Sequence, residues 1–265
     1  MVRRLLTIGD ELSELYQSRN ILKSLIIKDL AGRYKNSILG FLWHFVTPVV
    51  MMVVYYVAFS QIGATNFSDF WIYLASAIFA FTFLVSNLTG GIGCIIGNSY
   101  LIKKMYFPRE IVVISQVVST FIIFLIAFAL VMVADATVGR GVNEGWFFLP
   151  LVSVCMFFFT MGYVLFFSAI VVYVRDLQFL FSSLSLVFFF LTPVYFSPSS
   201  IDGIFRIIVY ANPFTYFIEC YHQIMYYGVC PDIASLMPII VMAAVSPILG
   251  YIVFQRLKKG FVERL

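Results

Sequence analysis

Glu219, His222 and Gln223 stand at positions i, i+3 and i+4, a spacing that gathers a carboxylate, an imidazole and an amide on one helix face. Such a group can line a polar path, or it can form the waterside face of a helix. Elsewhere the residues that chemistry needs are sparse. His44 and His222 are the only histidines, and neither belongs to an H-x-x-x-H pair. Cys94, Cys155, Cys220 and Cys230 form no C-x-x-C, so neither a metal nor a redox site is indicated. Cys220 and Cys230 are expected on one side of the molecule, open to a disulfide or to remaining two buried free thiols. No G-x-x-x-x-G-K-[ST] occurs, so this chain is not expected to hold ATP in a phosphate-cradling loop. One charged pair stands out: Arg175 beside Asp176, set between apolar runs in VVYVRDLQFL (171–180).

The elements that position these groups are built from an oily chain. Of 265 residues 62% are hydrophobic and 11% charged, with a mean hydropathy of +0.99. A soluble domain carries about a quarter charged residues, so most of this surface must face lipid. An all-α, polytopic membrane protein follows. Five runs reach the roughly 20 residues needed to cross a bilayer: 40–61, 70–97, 110–134, 146–174 and 236–255. A sixth, 177–194, is shorter and ends at Thr192-Pro193. The stretch 195–228 is apolar, but Pro198, Gly203, Pro213 and Gly228 interrupt it and Arg206 and Glu219 charge it. It is expected as a re-entrant hairpin, tolerated at depth where protein or water meets its backbone. The whole chain reads as one membrane domain of six spans. Its first apolar run begins near Gly40 behind a charged tail, so no cleavable leader is expected.

Ionisable groups are almost absent from these runs: His44 lies near a start and Asp135 near an end. Intramembrane catalysis would want such groups at depth, so an enzyme of envelope synthesis is disfavoured. The basic residues instead mark sidedness. With six spans, all but Arg140 and Arg206 of the 17 Lys and Arg residues fall on one side. That side is the cytoplasmic one, and both termini belong to it. Residues 10–30 read as an amphipathic helix with Leu12, Leu15, Tyr16, Leu22, Ile26, Ile27 and Leu30 on one face. Arg19 and Lys23 intrude on that face and Ile21 lies opposite, a pattern that suits an interfacial helix with snorkelling bases. The 30 Phe, 16 Tyr and 3 Trp fit interfacial aromatic belts, and are compatible with sugar rings stacking along a path.

The segments LGFLWHFVTPVVMMVVYYVAF (39–59), KKMYFPREIVVIS (103–115), VRDLQ (174–178), TPVYFSP (192–198) and NPFTYFIE (212–219) together resemble the ABC-2 permease family. More narrowly, the chain is similar to its polysaccharide and polyol-phosphate exporters, which move O-antigen, capsule or teichoic acid chains. The resemblance implies two permease copies, two copies of a separate ATP-binding subunit that uses ATP and Mg2+, and no cofactor in this chain. It implies a lipid-linked glycan substrate, surrounding membrane lipid and no nucleic acid partner, in a bacterial or archaeal plasma (inner) membrane. It also implies a coupling helix at about 98–110, which puts Lys103, Lys104, Tyr106, Pro108, Arg109 and Glu110 against the ATPase, with Arg175 and Asp176 nearby. Arg109 and Glu110 are expected to pair with each other or with that subunit, and Arg175 with Asp176 as a desolvated pair. Arg33, Lys35, Trp43, Pro48, Tyr195, Tyr216 and Glu219 are the path candidates: bases for phosphates, aromatics for sugars, and a proline that kinks the first span. Three other readings share the composition: an ABC-2 exporter of small hydrophobic compounds or drugs, an intramembrane enzyme, and a channel without an ATPase.

Overall fold

The computed structural model describes residues 14, 16–32, 42–62, 69–138 and 141–265. Among them regular structure is entirely helical. The order is α1 (Arg19–Gly32), α2 (Trp43–Ile62), α3 (Phe70–Thr89), α4 (Ser99–Lys104), α5 (Glu110–Val138), α6 (Leu149–Val171), α7 (Asp176–Leu191), α8 (Gly203–Ala211), α9 (Pro213–Tyr221), α10 (Ile233–Leu257) and α11 (Phe261–Arg264). Four helical runs, 70–104, 110–137, 144–171 and 233–264, are long and apolar enough to cross a membrane. Two apolar stretches, 45–58 in α2 and 176–191 in α7, are shorter. At 1.5 Å per residue the 16 residues of α7 reach only about 24 Å. The molecule is a multi-pass helical membrane protein.

The centre of the bundle is α3. It is apolar on every side, and such a helix must be enclosed: Tyr73, Leu74, Ala77, Ala80 and Leu84 are completely buried. It packs against α2, α5, α7 and α9. Polar side chains fix it to its neighbours. Asn87 donates to the Phe83 carbonyl and to Thr120 Oγ1 of α5 at 3.0 Å, and Tyr163 of α6 donates to the Leu84 carbonyl at 2.6 Å. The expected continuous span 70–97 is interrupted. A 3-10 turn, Gly91–Gly93, separates α3 from a helical turn at Cys94–Gly97. A Cβ on Gly93 would lie 2.7 Å from the end of the Gln178 side chain of α7, so the helical type changes where α7 passes close.

The closest helix crossing joins α6 to α10. Gly162 faces Ser246 and Pro247, and Gly250 faces the Gly162 carbonyl. The backbones touch there, and Ser246 Oγ donates to the Phe159 carbonyl at 3.1 Å. Small residues allow this approach. α1 packs against α5 through Ile21, Leu22 and the buried Leu25. Ile21, expected on the polar side, thus faces the bundle, while Ile27 and Tyr16 of the expected membrane-facing side stay exposed. Residues 10–13 and 15 of the expected helix lie outside the described residues. The expected re-entrant stretch forms α8, α9 and a π-helical turn, His222–Tyr226. Asn212 caps α9 by accepting from the Phe214 N–H, and donates to Thr192 Oγ1 at 2.8 Å. Gly228, at φ +68°, ends the π turn in a conformation that L side chains rarely adopt.

Candidate functional site

Most of the residues expected to couple to an ATPase gather at one end of the bundle, around a cleft of about 620 Å³ between the 102–110 segment and the end of α10. Lys103 and Lys104 occupy the last turn of α4, where positive charge suits the helix dipole. Lys104 donates to Tyr100 Oη at 2.7 Å and lies 4.3 Å from that ring's centre. The chain then extends through Met105 to Pro108, leaving Tyr106 fully exposed. Glu110 opens α5 and is buried, with 5% of its surface accessible. It accepts from Lys258 Nζ at 2.7 Å and from Gln255 Nε2 at 3.2 Å. Arg109 donates to the Lys258 carbonyl. The expectation that Arg109 and Glu110 pair with each other is corrected: each turns to the end of α10.

Arg175 and Asp176 do not make a desolvated pair in this chain, because both are exposed. Arg175 Nη2 donates to the Arg264 carbonyl at 3.3 Å, and Asp176 takes the first turn of α7, where a negative charge is favoured.

A second cavity, about 880 Å³, runs between α2, α3, α5 and α7. Trp43 and Pro48 line it, as do Tyr55, Thr82, Ser182 and Phe189. Tyr55 of α2 stacks on Phe189 of α7 at 4.9 Å, and Tyr195, in the turn after α7, stacks on the same ring at 5.4 Å. Thr82 and Ser182 donate to carbonyls of their own helices, so their oxygens keep lone pairs for an incoming hydroxyl. Pro48 is buried inside α2. Arg33 and Lys35 lie outside the described residues.

Tyr216 and Glu219 meet at the other end. Tyr216 donates to the Tyr210 carbonyl at 2.9 Å, and Tyr210 donates to Glu219 Oε1 at 3.0 Å. Burial pushes the Glu219 carboxyl above its ordinary range, against the opposing pull of the Tyr210 hydroxyl and Arg206. Glu219, His222 and Gln223 form no joint cluster, because each finds a partner on a different element. His222 is buried, stacks on Tyr73 at 3.7 Å and bonds its carbonyl at 3.1 Å. Gln223 turns to Ser235 Oγ at 3.0 Å. The α-helical register runs intact to His222, whose N–H bonds the Ile218 carbonyl, and the π turn begins only there. Burial lowers His222 to about 3, so its ring is neutral. Cys220 and Cys230 are both free thiols; Cys220 is buried and Cys230 exposed, which corrects the expectation of two buried ones.

Lys258, Gln255, Tyr173 and Phe261 complete the basic end without having been singled out from the sequence. Phe261 carried a signal, a lone aromatic in the charged tail KKGFVERL. Lys258 looked like one more anchoring base.

A family model described as ABC-2 type transporter matches residues 21–226. The chain belongs to the ABC-2 type transporter family. It is 31% identical over 257 residues to the O-antigen export system permease protein RfbA of Myxococcus xanthus, covering 95% of this chain and 98% of that protein. An O-antigen export system permease protein RfbA of Klebsiella pneumoniae is 26% identical over 239 residues, 90% of this chain and 92% of its own. In this ABC-2 chain, then, the residues of the 103–110 segment and the aromatic groove lie on one continuous body. α4 joins the central α3 through the Gly91–Gly97 turns, and α3 forms a wall of the groove.

Proposed function

We propose that this chain is the membrane-spanning permease subunit of an ATP-driven exporter that moves a lipid-linked, O-antigen-like polysaccharide across the inner membrane. Two copies work with two copies of a separate subunit, which binds ATP and Mg2+. α2 and α7 complete six crossings, and both termini are cytoplasmic, as the grouping of basic residues favours. Arg33, Lys35, Lys103 and Lys104 attract the lipid-linked phosphates at the inner leaflet. Closure of the ATPase displaces α4 and the path opens between permease copies. Sugar rings stack on Trp43, Tyr55 and Tyr195 while groove hydroxyls accept their hydrogen bonds. Tyr216 and Glu219 stand near the exit.

The observation that carries this reading is the near-full-length likeness to permeases named for O-antigen export. Deleting the gene tests it: surface glycan should disappear while its lipid-linked form accumulates inside. The apolar walls of the groove also suit a small hydrophobic cargo. In that case the deletion leaves surface glycan at its wild-type level and sensitises cells to hydrophobic drugs.

A further inference from the structure

The last carbonyls of a helix have no partner within it and must find one elsewhere. At the end of α10 those partners come from two different loops. The Leu257 carbonyl accepts from Tyr173 Oη at 2.9 Å, and the Lys258 carbonyl accepts from Arg109. The short tail beyond is held in the same double way. Phe261 is completely buried, 5.4 Å from Phe254 and 6.5 Å from Tyr173 between ring centres, with the Arg109 guanidinium 5.8 Å from its own. Arg264 lies 5.5 Å over the Tyr173 ring, and its carbonyl accepts from Arg175. A Cβ at Gly260 would meet the Tyr173 hydroxyl, so a larger residue there would make that hydroxyl move. The Glu110–Lys258 ion pair at 2.7 Å closes the junction from the side of α5.

We infer that residues 255–264 are a tie between the two loops at this end, and that Glu110, Lys258 and Tyr173 are positioning residues through which displacement of 99–110 is passed to 173–176 and so to α7. The inference rests on the proposed transport function for its consequence, though not for the tie itself. A partly buried ion pair joins the first loop to the tail, and breaking it from one side leaves a charge without its partner. A tyrosine hydroxyl and an arginine join the tail to the second loop. Movement of either loop therefore strains the other.

The test compares Glu110→Gln, Lys258→Met, the exchange Glu110→Lys with Lys258→Glu, and Tyr173→Phe, in the full chain with its ATP-binding partner. Two quantities are read: amide hydrogen exchange of 103–110 and 170–176, and glycan exported per ATP hydrolysed. Each single change at 110 or 258 should speed exchange in both loops and lower export per ATP by about fivefold or more. The charge exchange should restore both in large part. Tyr173→Phe keeps the ring and should speed exchange at 103–110 across the tail; it decides the matter if the charge variants fail to reach the membrane. Unchanged exchange at 170–176 in Lys258→Met, unchanged exchange at 103–110 in Tyr173→Phe, or no restoration by the charge exchange overturns the tie. A wild-type complex that hydrolyses ATP and moves no glycan overturns the transport function instead, and the exchange readings still decide the tie.

Discussion

Glu219 shows what a single carboxyl experiences in a largely apolar hairpin. Burial raises its proton affinity while Tyr210 and Arg206 resist. Its folded value stands above its ordinary 4.5, so the folded chain holds the proton more tightly than the unfolded one. That contribution to stability is fully present below pH 4.5 and is lost as the pH rises through the raised value. Glu219→Gln keeps an oxygen for the Tyr210 hydroxyl and removes the charge. Thermal unfolding in detergent should find the variant at least as stable as wild type at neutral pH, with the difference vanishing under acid conditions. A variant less stable at neutral pH would show that the Arg206 attraction outweighs burial. At this scale the sequence disclosed charges and hid partners. Lys103, Lys104, Arg109 and Glu110 were visible because charge is rare in this chain. The partner of Glu110 lies 148 residues away, and no local spacing points to it. The Glu219–His222–Gln223 grouping misled because helical spacing does not show which neighbours claim each side chain: Tyr210, Tyr73 and Ser235 stand on three different helices.

Among the elements, a helix lies in each of the six apolar runs, but four reach membrane-crossing length and apolarity among the described residues, since hydropathy over about 20 residues is what separates lipid from water. It is blind to helical type, so the 3-10 turn at Gly91–Gly93 went unseen although three glycines stand within residues 90–93. Ile21 of α1 was misplaced for a related reason: periodicity gives an apolar stripe without saying which part meets protein and which meets lipid. Ile21, assigned to the polar side, packs on the bundle, while Ile27 stays outside. The α6–α10 crossing was also illegible, because a glycine in a membrane helix announces close packing only when its partner is known. Gly162 supports that contact directly. Gly162→Val should cost about 1–3 kcal/mol through overpacking, read as a lower unfolding temperature and a loss of monodisperse protein. Gly97 meets nothing within 4 Å, so Gly97→Ala should be neutral or stabilise by about 0.5–1 kcal/mol. Equal behaviour of the two variants would mean that the helices are not in contact at Gly162.

For the whole molecule, a basic end, proposed to meet the ATP-binding subunit, joins an aromatic groove that runs along the central helix. α2 leaves Val50, Val53, Val54 and Val57 exposed, and α7 leaves Phe179, Leu186 and Phe190 exposed. These faces belong against lipid or against a second copy, and in the proposed exporter they border the path. The central claim is that this chain is the conduit and that a separate ATP-binding subunit drives it. The most direct measurement places the chain and that subunit in sealed vesicles and follows lipid-linked glycan from the ATP-accessible face to the other. The account predicts movement that requires ATP hydrolysis, both proteins and the lipid-linked form of the glycan. Glycan that crosses without the ATP-binding subunit, or that fails to cross while ATP is hydrolysed, would contradict it.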